Sequence, residues 1–254
     1  MKATILGCGT SSGVPRIGND WGACDPADPR NRRTRASILV EHIGTRILVD
    51  TSPDLRTQLL AANVVNLDAV IWTHEHADHC HGIDDLRQVF HAMGCPVPGY
   101  ARLKTLGLLR DRFAYVFAGN GGYPPTVAPH ELTDTLKIGG IRISVVDQPH
   151  GRITSAGLRF EGGGAAIGYS TDTDQLTPEM AKLFAGLDLW IVDGLREKPH
   201  PTHAHLEEAL GWIAQLKPKR AVITHMDQSL DYSALAARLP GGVEPGHDNL
   251  EIML

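Results

Sequence analysis

A chain of 254 residues can bury one large hydrophobic core, and nothing in its composition demands a second domain, so residues 1–254 read as a single unit. A net charge of −5 without any basic run disfavours electrostatic capture of nucleic acid, and no apolar stretch is long enough to span a bilayer. The four cysteines, Cys8, Cys24, Cys80 and Cys95, lack CxxC spacing and suggest neither a disulfide framework nor a zinc ribbon.

The opening "MKATILGCGTSSG" lacks the apolar core of a signal peptide and reads as a strand entering a loop, so a cytoplasmic protein is expected. Strand signals follow in "ATIL", "ASILVE" and "TRILVD". "SPDLRTQLLAAN" predicts a helix with Ser52 as N-cap and Pro53 in its first position. "DAVIWT" predicts a strand that runs into "HEHADHCHG", and "DDLRQVFHAMG" a helix stopped by Gly94. "LKIGGIRISVV" predicts a hairpin turning at Gly139-Gly140, and "EGGGAA" another turn. "AAIGYS", "LDLWIVD" and "RAVITH" are further strands, while "THAHLEEALGWIAQL" places Leu206, Ala209, Leu210 and Ile213 on one helical face. Hairpins mixed with strand–helix units predict an α+β protein, its sheets covered by helices.

Five of the apolar strands end on a metal-capable or carboxylate residue. Val70–Thr73 runs into His74, Val145–Gln148 into Pro149-His150, and Ile167–Thr171 into Asp172. Leu189–Val192 runs into Asp193 and Ala221–Thr224 into His225. Strand ends commonly gather functional groups at one rim, so these positions should meet in one cleft.

The densest cluster is "THEHADHCHG". Residues i and i+2 of an extended or tightly turned backbone point the same way, so His74 and His76 can face one cation together. Asp78 and His79 lie on the next bend and can face a second. Imidazole and carboxylate donors suit zinc, iron or manganese without thiolates. The competing reading is a histidine-rich surface loop that holds no metal. Glu75 should point away from its neighbours as a structural or solvated residue, and Cys80 should pack as a thiol under the loop.

"THEHADH" resembles the HxHxDH signature of the metallo-β-lactamase superfamily, which implies a four-layer αβ/βα sandwich and a site for two divalent metal ions. On that resemblance His150 in "DQPHG" matches the third histidine of the first metal site. Asp172 in "GYSTDT" matches the bridging aspartate, and His225 in "VITHM" the last histidine. Asp50 in "ILVDTSPDLR" matches an aspartate that supports the ligand loop. "LGCGTSSGVPRIG" and "NRRTRAS" narrow the resemblance to the phosphoribosyl cyclic phosphate phosphodiesterase (PhnP-like) branch.

The resemblance implies one metal on His74, His76 and His150 and another on Asp78, His79 and His225, with Asp172 between them and zinc or manganese as the metals. It implies hydrolysis of a small cyclic phosphate of a sugar or nucleotide by a hydroxide held between the two ions. His203, aligned ahead of the Glu208-Ala209 pair, would protonate the leaving group, and Asp78 and His203 are its catalytic candidates. His205 is the runner-up for the acid, and His200 reads as a loop residue. Asp193 could orient a histidine or cap the following turn.

Arg16, Arg35 and Arg87 are candidates to meet a substrate phosphate. The expected partner is a small-molecule phosphodiester, with neither membrane nor nucleic acid involved, and a homodimer stays open. The rival readings are a thioester or lactam hydrolase (glyoxalase II-like), a tRNA-processing nuclease, and a metal-binding protein without turnover. Two departures from the branch stand out. "NDWGACDPADPRNRR" keeps only Cys24 where relatives hold a structural zinc, so hydrogen bonds, Pro26, Pro29 and Trp21 should hold that loop. His247-Asp248-Asn249 replaces a tyrosine–aspartate–glycine triplet at the pocket rim.

Overall fold

The computed structural model describes all residues 1–254. The chain enters through β1 (Lys2–Gly7), the hairpin β2 (Ser37–His42) and β3 (Thr45–Val49), and then α1 (Leu55–Ala61). β4 (Ala69–Ile71) leads into a short α2 (Ala77–Cys80) and α3 (Leu86–Met93). β5 (Val97–Ala101), α4 (Leu103–Arg112), α5 (Ala114–Ala118) and β6 (Val127–Glu131) complete this half. The second half runs through β7 (Thr135–Ile138), β8 (Ile141–His150), β9 (Ile153–Gly162), β10 (Ala165–Ser170) and α6 (Pro178–Leu183). β11 (Leu189–Asp193), α7 (Leu206–Leu216), β12 (Arg220–Thr224), α8 (Tyr232–Ala236) and β13 (Val243–Pro245) follow, before β14 (Leu250–Met253) returns to pair with β1.

Two seven-stranded sheets result, in the orders β14-β1-β2-β3-β4-β5-β6 and β13-β12-β11-β10-β9-β8-β7. Each is antiparallel over one part and parallel over the other: the β3–β6 and β10–β13 neighbours are parallel. Alternation along the strands sorts the side chains between layers. Ile38, Val40, Ile47, Val49 and Ile71 join the core that includes Ile143, Phe160, Tyr169 and Ile191 of the second sheet. The intervening Leu39, Leu48 and Val70 face the other way and pack with Leu55, Leu86 and Leu109 of the covering helices. On the far side, Leu206, Ala209 and Ile213 of α7 are buried while Leu210 is half-buried. The architecture is a four-layer αβ/βα sandwich.

Most predicted strands form, with the turns at Gly139-Gly140 and Gly163-Gly164 where expected. Gly94 ends α3 at φ 70°. Two differences have clear causes. α1 starts at Leu55, so Ser52 and Pro53 lie outside the helix. Thr51 and Ser52 are instead buried against the ligand loop, where Thr51 N donates to His79 O at 2.8 Å and Gly82 N to Thr51 O at 2.9 Å. β5, written "VPGYA", carries strand-breaking residues and gives no sequence signal. Its Gly99 is required by packing, because a Cβ there would lie 2.6 Å from the Trp72 ring.

Candidate metal centre

The centre is built on strand ends. Asp50 follows β3, Asp172 follows β10 and His225 follows β12, and all three adopt left-handed backbone with φ of 64°, 52° and 59°. Such a conformation is costly for non-glycine residues and commonly marks a functional constraint. It turns the chain sharply as it leaves the sheet. His150 is the last residue of β8 and His74 lies three residues beyond β4. The short α2 carries Asp78 and His79 back over the rim.

These elements bring the seven expected ligand residues together in two groups. Donor atoms of His74, His76, His150 and Asp172 lie within 4.8 Å of one another, as do those of Asp78, His79 and His225. Asp172 stands between the groups with one oxygen toward each. Its Oδ2 lies 3.7 Å from His74 Nε2 and 3.6 Å from His150 Nε2, and its Oδ1 lies 3.2 Å from His79 Nε2 and 3.5 Å from His225 Nε2. Asp78 Oδ2 lies 3.4 Å from both His79 Nε2 and His225 Nε2. His150 Nε2 approaches His76 Nδ1 at 3.3 Å.

Two observations test whether these residues suit cations. Tetrahedral ligands about 2.1 Å from a metal lie roughly 3.4 Å apart, which matches these separations. In addition, the buried Nε2 atoms of His74 and His79 have no hydrogen-bond partner, an expensive arrangement unless something sits between the donors. The electrostatics agree. Burial, then neighbouring His79, holds His74 well below the ordinary imidazole value, in the neutral form that binds metal. Burial pushes Asp172 upward, but His225 and His79 outweigh it and keep the carboxyl well below its usual range. Burial opposes charge on His79 too, yet Asp172, Asp78 and Asp50 raise it well above normal. The side chains fit two divalent cations.

A second ring of partners fixes the imidazoles. Asp50 Oδ2 lies 2.7 Å from His79 Nδ1, and its Oδ1 accepts from Thr73 N at 2.8 Å. His150 Nδ1 lies 2.7 Å from the Thr202 carbonyl, and His74 Nδ1 lies 3.0 Å from Thr73 Oγ1. Such contacts select the tautomer that leaves Nε2 for a metal. The roles of Thr73 and Thr202 have no signature in the sequence, since a hydroxyl or carbonyl acquires one only through its neighbour.

Asp193 serves His203: its Oδ2 lies 2.9 Å from His203 Nδ1 and also accepts from Thr173 N. The His203 ring stacks on His225 at 4.8 Å, and its Nε2 lies 3.8 Å from Asp172 Oδ2. Asp172, His203 and His225 also form a third group of donors within 4.8 Å. His205 is not brought in. It caps α7 in a box with Glu208, 2.6 Å away. His200 holds Thr202, and its ring lies 5.1 Å from that of His203.

The other candidates are engaged elsewhere. Arg16 pairs with Asp20, Arg35 with Asp54, and Arg87 lies over the Tyr123 ring. Glu75 is buried and accepts from Thr105, so its role is structural and not solvated. Cys80 Sγ packs 3.5 Å from the Glu75 carbonyl. Cys24 lies among the carbonyls of Gln228 and Leu230. Its loop is anchored chiefly by buried Arg33, which donates to Asn31, Asp227 and Leu230, a contribution the sequence did not reveal. Asp248 accepts from Cys8 N, Thr34 N and Thr34 Oγ1, joining the C-terminal segment to the loops beside β1.

The family model for the beta-lactamase superfamily domain matches residues 45–226. An octanoyltransferase from Porphyromonas gingivalis is 34% identical over 267 residues, a match that takes in 100% of this chain and 52% of that protein. The chain thus spans about half the length of that relative. Coenzyme PQQ synthesis protein B from Xanthomonas campestris is 24% identical, with 100% of both chains covered. Among solved structures, a diphosphatase from the PhnP family superposes with a TM-score of 0.91 at 34% identity, covering 100% of this chain and 97% of that one. Zn(2+)-bound PqqB from Methylobacterium extorquens shares the fold at a TM-score of 0.78 and 20% identity, with 100% of both chains covered. The matched span contains the whole HxHxDH segment, and the chain belongs to the metallo-β-lactamase superfamily, in its PhnP family.

Proposed function

We propose that this protein is a hydrolase, a dinuclear metal-dependent phosphodiesterase acting on a small cyclic phosphate of a sugar or nucleotide. His74, His76 and His150 with Asp172 Oδ2 would hold one cation, and Asp78, His79 and His225 with Asp172 Oδ1 the other. Zinc and manganese both suit this nitrogen and oxygen donor set. When bound, such cations supply Lewis acidity toward phosphoryl oxygens and make water acidic enough to be a nucleophile near neutral pH.

The observation that carries the reading is the His203–Asp193 pair. Hydrolysis forms a P–O bond from water and breaks the ester P–O bond, so the departing alkoxide needs a proton. Burial lowers the basicity of His203, but the Asp193 carboxylate and its hydrogen bond outweigh this and hold the imidazole at about 9. In the protein without bound cations this favours the doubly protonated imidazolium near neutral pH. Asp193 retains the proton on Nδ1, and Nε2 offers the other beside Asp172. A positioned acid suits a poor alkoxide leaving group, whereas a thiolate from a thioester needs little such help. The likeness to a PhnP-family diphosphatase supports phosphorus chemistry.

A substrate panel tests this. Protein reconstituted with zinc or manganese should hydrolyse cyclic ribose phosphodiesters and bis(p-nitrophenyl) phosphate. Faster turnover of a thioester or a β-lactam than of every phosphodiester would reject the proposal.

A further inference from the structure

β10 ends at Ser170, and the two residues that follow leave the sheet. Thr171 and Asp172 are both buried, Asp172 with its left-handed backbone. No backbone N–H donates to the carbonyl of either residue. A buried carbonyl without a donor is costly, so other groups must supply one. Side chains of β8 and β9 do. Gln148 of β8 stands opposite Ser155 of β9 in the register of that pair. Gln148 Nε2 donates to the Thr171 carbonyl at 3.0 Å, and Ser155 Oγ donates to the Asp172 carbonyl at 2.8 Å.

The bonds behind these two contacts run in one direction. A carbonyl can only accept, so the Gln148 amide must present Nε2 to Thr171. Its second N–H goes to Ser155 Oγ at 3.0 Å, which leaves the single Ser155 proton for Asp172. Gln148 Oε1 accepts in turn from Ser170 Oγ at 2.6 Å. Gln148, Ser155 and Ser170 are 0%, 2% and 0% exposed, so no solvent competes for these groups. Gly157 makes the room, since a Cβ there would lie 2.5 Å from Gln148 Oε1. A buried network with every member satisfied is rigid.

This network meets the metal centre from three sides. Gln148 stands two residues before His150, on the same face of β8. Ala156, next to Ser155, donates its N–H to the carbonyl of Thr73, the residue before His74. Asp172 offers one oxygen to each ligand group, so any tilt of its backbone moves both oxygens. Beyond it, Thr173 N donates to Asp193 Oδ2, which pins the segment from the β11 side.

We propose that Gln148, acting through Ser155, is a positioning residue that fixes the turn at Asp172 and so sets its carboxylate between the two cations. The inference rests on the dinuclear centre of the proposed function.

The test uses the full chain, stripped of metal and titrated with manganese, the weaker binder of the two candidate metals. Gln148→Met keeps most of the side-chain bulk but removes the amide, and Ser155→Ala removes one hydroxyl. Each should weaken both binding events together by roughly 10–100-fold, the usual effect of losing a partner that orients a metal ligand. The losses should not add in the double variant, because both break one chain of bonds. Thermal unfolding of the metal-free variants separates positioning from packing. Wild-type affinity for both ions, with only the metal-free midpoint lowered, would reduce the network to buried polar packing and overturn the inference. A loss confined to one ion would also overturn it, since the shared carboxylate serves both. If Gln148→Met does not fold, Ser155→Ala decides alone. Wild-type protein that binds fewer than two ions would instead overturn the dinuclear centre itself.

Discussion

The imidazole of His203 is held on one side by a fully buried carboxylate and on the other faces Asp172. That arrangement separates two roles, proton donor and metal ligand, both of which the local geometry permits. His203→Ala is expected to lower turnover of an alkyl phosphodiester ~10²–10⁴-fold, the usual scale for a positioned acid. Metal content should stay as in wild type. The loss should shrink on a nitrophenyl diester, whose leaving group departs without a proton. If metal is lost with the side chain, the group formed by Asp172, His203 and His225 is a coordination site and the acid lies elsewhere.

At the scale of elements, the junction between the ligand loop and α1 sets the position of the centre. Gly82 closes that loop against Thr51 and Ser52, and a Cβ there would lie 1.9 Å from the Ser52 carbonyl oxygen. Backbone cannot give way as a flexible side-chain tip can, so the loop or α1 must shift. Gly82→Ala should cost ~1–3 kcal/mol of unfolding free energy, as overpacking does, and should weaken metal binding in parallel. Gly107→Ala provides the control. It lies in α4 with open space around its Cβ position, and should be neutral or stabilising by up to ~1 kcal/mol. Denaturant unfolding of the two variants compares them directly, and equal effects would remove any special role for the Gly82 contact.

Across the whole molecule, the candidate ligands come from both sheets: His74, His76, Asp78 and His79 from the first, His150, Asp172 and His225 from the second. Bound cations would therefore staple the two halves of the sandwich together. Reconstituted protein should hold close to two ions per chain, and His225→Ala should reduce this toward one. Stripping with a chelator should lower the midpoint of thermal unfolding by roughly 5–10 °C, because a ligand at a hundred times its Kd stabilises by ~2.7 kcal/mol. Adding zinc or manganese should restore it. One ion per chain, unchanged in Asp78→Ala and His225→Ala, would refute the dinuclear assignment.

What the sequence determined by itself was whatever depends on neighbours within a few residues. The HxHxDH spacing, the strands that stop at His74, Asp172 and His225, the turn at Gly139-Gly140 and the Gly94 helix stop all follow from local backbone geometry and alternation. The same local reasoning misplaced the start of α1, because Thr51 and Ser52 are drawn under a loop nearly thirty residues away. Only the tertiary structure decided which oxygen of Asp172 faces which histidines, that Asp193 serves His203, and that the Thr202 carbonyl orients His150. It also tied Arg112 to the ligand motif, across 37 residues of chain, and brought His225 to Asp78 across 147. Contacts at such separations are set by how two twisted sheets pack, to within an ångström or so. That outcome belongs to the whole core, and no local run of residues encodes it.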